Sequence, residues 1–151
     1  MLSSYFSLDK LFKIMKSLFE DSLSRVWHDG TSPIVFVRFT KILDKNNFLL
    51  PGKITVNFAK QLLRDNKNAY ALIDLSEFNC TCPKINEHFY HWLTQLHSSC
   101  IEFTAIVIPE HEKMPSQYFP TKEKIQLSTF SSFEKALRNI NTQMTMNLLA
   151  H

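Results

Sequence analysis

Two apolar runs, Tyr70–Leu75 (YALIDL) and 102–108 (EFTAIVI), are too short for buried helices but suit strands covered on both faces. Between them an amphipathic stretch opens at Pro83, a residue suited to a first helical turn. It then places Ile85, Phe89, Trp92, Leu93 and Leu96 on one stripe. A strand, an amphipathic helix and a second strand bury their apolar surfaces together when the strands are parallel and the helix crosses back over the sheet. The spacing therefore predicts a βαβ unit and an α/β domain built around it.

The pattern extends in both directions. Upstream, 22–28 (SLSRVWH) alternates, 33–39 (PIVFVRF) is rich in β-branched and aromatic side chains, and Asp29-Gly30 between them supplies the turn of an antiparallel hairpin. After a polar link at 44–47, residues 55–65 put Phe58, Ala59, Leu62 and Leu63 at helical spacing, with Asn66 as the C-terminal stop. Downstream, Pro109, Pro115 and Pro120 make 109–121 a surface loop, and 125–130 (IQLSTF) alternates as an edge strand. Ser131 and Glu134 have the spacing of a capping box, opening a helix that carries Phe133, Leu137 and Ile140.

The expected fold is an N-terminal β-hairpin followed by a mixed, mostly parallel sheet packed against helices. Ahead of it, residues 1–20 are expected as an N-terminal amphipathic helix segment, its helical pattern over 8–19 capped at Ser7, with Leu8, Leu11, Phe12, Met15, Leu18 and Phe19 opposite Asp9, Lys10, Lys13, Lys16 and Ser17. The α/β domain is expected over 21–141, and 142–151 reads as a flexible tail.

Charge and residue content narrow the function. A formal charge of +3, scattered along the chain, is too mild for a phosphate-tracking surface, so nucleic acid is not an expected partner. No run approaches the roughly 20 apolar residues of a membrane span. Three cysteines make an odd count with no paired framework, which points to free thiols in a reducing, cytoplasmic setting. Only two glycines, Gly30 and Gly52, are present, too few for a dinucleotide fingerprint or a phosphate loop. No cofactor is expected, and no catalytic residues are assigned.

Candidate site residues cluster after the strand 70–75. Asp74 stands at its carboxyl end, where open α/β sheets place ligand contacts, and also where an Asp turns the chain by bonding the loop through Ser76. In CTCPKINEHFYH, residues 80–91, the side chains of Cys80, Cys82, His88 and His91 are of types that bind zinc, but Cys-x-Cys is closer than a structural-zinc pair and no metal is assigned. Cys82, just before Pro83 at a helix N-terminus, is placed for a lowered thiol pKa. His88 as its base would project sideways from the same helix and not back onto the cap, so the pair is not read as catalytic.

The order of hairpin, helix, strand YALIDLSEF, helix, strand FTAIVI, loop, strand ending at Phe130 and helix SSFEKALRNI resembles the STAS-like domains over about residues 22–140. The likeness extends to anti-sigma-factor antagonists and, more closely, to small bacterial STAS-like proteins of unknown function. The resemblance implies a non-enzymatic regulatory module that binds a protein partner. In the antagonists, it implies control by phosphorylation of a serine at the start of the helix after the third strand. The equivalent loop here is 79–84. Its sequence departs from the Asp-Ser-Ser-Gly acceptor pattern, and Thr81 is its only hydroxyl. Thr81 is thus the phosphoacceptor candidate, and Asp74, Ser76, Thr81, Cys82, Lys84 and His88 are the candidate partner contacts. Homodimerisation through the N-terminal helix is a subsidiary expectation. The alternative is a small-ligand or lipid-binding protein in which Phe89, Trp92, Tyr118 and Phe119 line a pocket under the 109–121 loop.

Overall fold

The computed structural model describes residues 16–41, 45–77, 89, 91–96, 101–108 and 127–150. Their strands are β1 (Lys16–Glu20), β2 (Ser24–His28), β3 (Ile34–Phe39), β4 (Ala69–Asp74), β5 (Ile101–Val107) and β6 (Leu127–Phe130). They form one sheet in sequential order, β1-β2-β3-β4-β5-β6. β1, β2 and β3 pair antiparallel, and β3 to β6 pair parallel. The expected α/β architecture is therefore present: an antiparallel opening followed by a parallel sheet, with helices on its faces.

Both faces are buried. On one, Val26, Val35, Val37, Phe39, Ala71, Ile73 and Ile106 pack beneath helix α1 (Leu49–Arg64) and a helical segment at 91–96. Phe48, Phe89 and Trp92 join Phe39 there, with ring centroids 5.3 to 6.0 Å apart. On the other, Trp27, Ile34, Phe36, Tyr70, Leu72, Phe103 and Val107 lie under helix α2 (Phe133–Ala150), which contributes Ala136 and Ile140. This double coverage explains why β3, β4 and β5 read as near-continuous apolar runs.

Local chemistry accounts for the boundaries. Gly30 has φ +88° in the β2–β3 turn, a backbone region closed to most L side chains. Asn66 takes φ 59° after α1, while Lys67 N–H bonds Leu62 O and Asn66 N–H bonds Leu63 O, the paired bonds of a Schellman stop. The anticipated Asp-Gly turn and Asn stop are both realised.

Four expectations need correction. Residues 16–20, assigned to the N-terminal helix, form strand β1; residues 1–15 lie outside the described residues. The register shifts between Ser17 and Phe19, so the strand loses its alternation at Leu18. Leu18, skipped by the ladder, is exposed, while Phe19 packs against the core. Second, α1 begins at Leu49, not Thr55, preceded by a 3-10 turn at Lys45–Phe48. Pro51 and Gly52 resemble breakers, yet both stand near the helix start, where a missing proline N–H costs no intrahelical bond.

Third, the cap of α2 is Ser132, whose Oγ accepts the Lys135 N–H at 3.2 Å, and not Ser131. Finally, residues 142–150, expected as a tail, continue α2 to Ala150. Asn147 Nδ2 donates to Tyr70 Oη at 2.7 Å and so ties this stretch to β4. At 18 residues α2 spans about 27 Å, longer than the roughly 20 Å of a six-residue strand. Its end overhangs, leaving Leu148 and Leu149 exposed at 78% and 83%.

Candidate functional site

Sheet register assembles a polar row at the carboxyl ends of β3 and β4. Glu20 pairs with Arg25, Arg25 with Arg38, Arg38 with Asp74, and Asp74 with Val107. By strand alternation, Arg25 shares a face with Trp27, Arg38 with Phe36, and Asp74 with Leu72. This is the face covered by α2.

Asp74 is 2% exposed, and neither carboxylate oxygen is idle. Oδ2 accepts from Arg38 Nε and Nη2, both at 3.0 Å, and Oδ1 accepts the Ser76 N–H at 2.9 Å. A buried carboxylate without partners would be strongly penalised; this forked cation and backbone donor compensate it. Asp74 thus joins β3 to β4 and turns the chain into the segment that starts at Ser76. Its carboxylate acts on the surface indirectly, through the residues it holds.

Trp27 forms the floor beside this pair. Its ring stacks on Phe36 at 5.5 Å and 14°, with the Arg25 guanidinium 5.1 Å and that of Arg38 5.7 Å from its centroid. Trp27 is 1% exposed, whereas Arg25 is half-buried and the Arg38 side chain is 29% exposed. Two cations, Arg25 and Arg38, lie over Trp27 here, and Asp74 is ion-paired with Arg38.

Of the residues anticipated from the sequence, Asp74 and Ser76 meet here, with Ser76 exposed beyond the strand. Thr81, Cys82, Lys84 and His88 lie outside the described residues, as do Cys80, Tyr118 and Phe119. His91 is exposed on the helical segment 91–96. Among the described residues no group of three or more His, Cys, Asp or Glu side chains could hold a metal ion. Phe89 and Trp92, candidates for a pocket wall, are 1% and 4% exposed and are packed into the aromatic core.

Arg25, Trp27 and Arg38 were not singled out in the sequence. The available signal was charge within strand patterns: an arginine two residues before Trp27, and another interrupting the apolar run of β3. Their meeting depends on hairpin register, which the turn between the strands sets.

No protein-family model matches the chain, and comparisons with curated proteins and with solved structures find no match. What stands is the class that the fold defines: an α/β domain with, among the described residues, a mixed six-stranded sheet. No helix among the described residues is long and apolar enough to cross a membrane.

Proposed function

We propose that this chain is a non-enzymatic protein-interaction module of STAS-like type, whose contact surface lies around residues 74–84 and the helix that follows. One observation carries the reading: the acidic residue at the carboxyl end of the central strand is fully engaged in holding Arg38 and the Ser76 backbone. It is spent on fixing the backbone that leaves β4 into the exposed Ser76 and Glu77, at the edge where α/β sheets meet their ligands. The element order, with an antiparallel opening, parallel strands and a closing helix, is in keeping with the same reading. In this reading the setting is cytoplasmic, and Thr81 is the residue whose phosphorylation would alter the contact surface.

The test is affinity capture with the full chain and with Ser76→Arg, since Ser76 and Glu77 are exposed and tolerate substitution without touching the core. A protein retained specifically by the unsubstituted chain and released by Ser76→Arg, with unchanged far-UV circular dichroism, is the expected result. Turnover of a small substrate by the purified chain, or capture indifferent to substitution at this segment, would overturn the reading.

A further inference from the structure

Arg25 and Arg38 face one another across the β2–β3 ladder, and like charges directly opposite on a sheet face repel. Asp74 pairs with Arg38 and not with Arg25, because its two oxygens are taken by Arg38 and by the Ser76 N–H, and the exposed Glu20, opposite Arg25 on β1, forms no ion pair with it. Arg25 has its guanidinium over the Trp27 ring, and its buried Nε has no acceptor among the described residues. An aromatic face attracts a cation but supplies no lone pair to the N–H donors at its edge. Trp27 Nε1, on the adjacent residue of the same face, is a second buried donor without an acceptor among the described residues.

An arginine whose Nε has no acceptor among the described residues, a second arginine beside it and a second buried N–H are matched by a ligand that brings negative charge and paired oxygens. We infer that Arg25 and Arg38, lying over Trp27 at the carboxyl end of β3, form a binding site for an oxyanion, a carboxylate or phosphate group. Arg25 is the anchor. Arg38, already oriented by Asp74, adds field and a rigid edge. Trp27 sets the depth at which the group can sit. The inference does not depend on the contact surface proposed above, since the site is defined by β2 and β3 and is tested with small anions.

Titration of the ¹⁵N-labelled full chain with inorganic phosphate, and separately with acetate, at constant ionic strength against a sodium chloride control reads the site directly. Saturable shifts of the Arg25 Nε–H and Trp27 Nε1–H resonances are expected, and the two anions show whether phosphate or carboxylate is preferred. Arg25→Gln should weaken the affinity by about tenfold or more, and Arg25→Lys should also weaken it, because an ammonium keeps the charge but loses the fork. Arg64→Gln, a substitution at the far end of α1, should leave it unchanged. The absence of saturation above the chloride control overturns the inference even if the Arg25 variants do not fold. So does a Glu20→Gln variant that moves the Arg25 Nε–H on its own, since the register partner of Arg25 would then already be its anion.

Discussion

Asp21, Asp29 and Asp74 each stand at or just beyond the end of a strand, and each carboxylate accepts backbone N–H groups two or three residues ahead. Asp29 does this most fully: Oδ1 takes the Thr31 and Ser32 N–H at 2.8 and 2.7 Å, and Oδ2 takes Ser32 Oγ at 2.7 Å. Partial burial pushes its pKa up, but the hydrogen bonds from Ser32 and Thr31 outweigh burial and hold it below the ordinary 3.8. A depressed folded value stabilises the fold above the unfolded pKa, and that contribution fades as pH falls through the folded one. Asp29→Asn should therefore lower the urea midpoint most at neutral pH, and the gap should close as pH drops below 3.8. A gap that is constant with pH would show that the charge of Asp29 plays no part. The turns at Asp29 and Asp74 were legible because each is made within two or three residues; the one at Asp21 was not read, because residues 1–20 were expected as a helix and not as a strand that turns there. The Arg38 partnership of Asp74, 36 residues away, was not, because it exists only once β3 and β4 are in register.

Among the elements, α1 shows how packing can reverse a local preference. By helix propensity Gly52→Ala should add about 1 kcal/mol of stability. A Cβ at Gly52, however, would overlap Trp92 Nε1 and lie 2.9 Å from its Cδ1. The Trp92 ring has little freedom to yield, being in contact with Phe39, Phe48 and Phe89. Overpacking of this kind costs about 1–3 kcal/mol, so the clash should outweigh the propensity gain. Gly52→Ala is expected to lower the thermal midpoint and to alter the near-UV signal of the tryptophans, whereas a raised midpoint would mean that α1 can slide on its aromatic bed. Helical spacing was read only over 55–65, and on that basis α1 was expected to start too late. Close approach of a helix to an indole leaves no local mark.

For the whole molecule, the sheet is closed on one face by α1 and the 91–96 segment, and on the other chiefly by α2. Stability therefore depends on the chain's last element. Removal of residues 142–151 takes away the half-buried Met144 and leaves the Tyr70 hydroxyl, in a side chain 4% exposed, without Asn147. The loss should be about 1–3 kcal/mol in urea unfolding, with Asn147→Ala alone reproducing about 1 kcal/mol. A frayed tail would leave the midpoint where it was. What the sequence by itself determined is the set of elements and their class. Apolar runs at a period of two or 3.6, an Asp-Gly turn and an Asn stop are decided by neighbours within a few residues, through sterics and local hydrogen bonds. Only the tertiary structure decided that β1 is a strand, that α2 runs on to Ala150, and that Arg25, Arg38 and Asp74 share one row. Each of these depends on pairing or packing between segments far apart in the chain, and burial and register arise only when those segments meet.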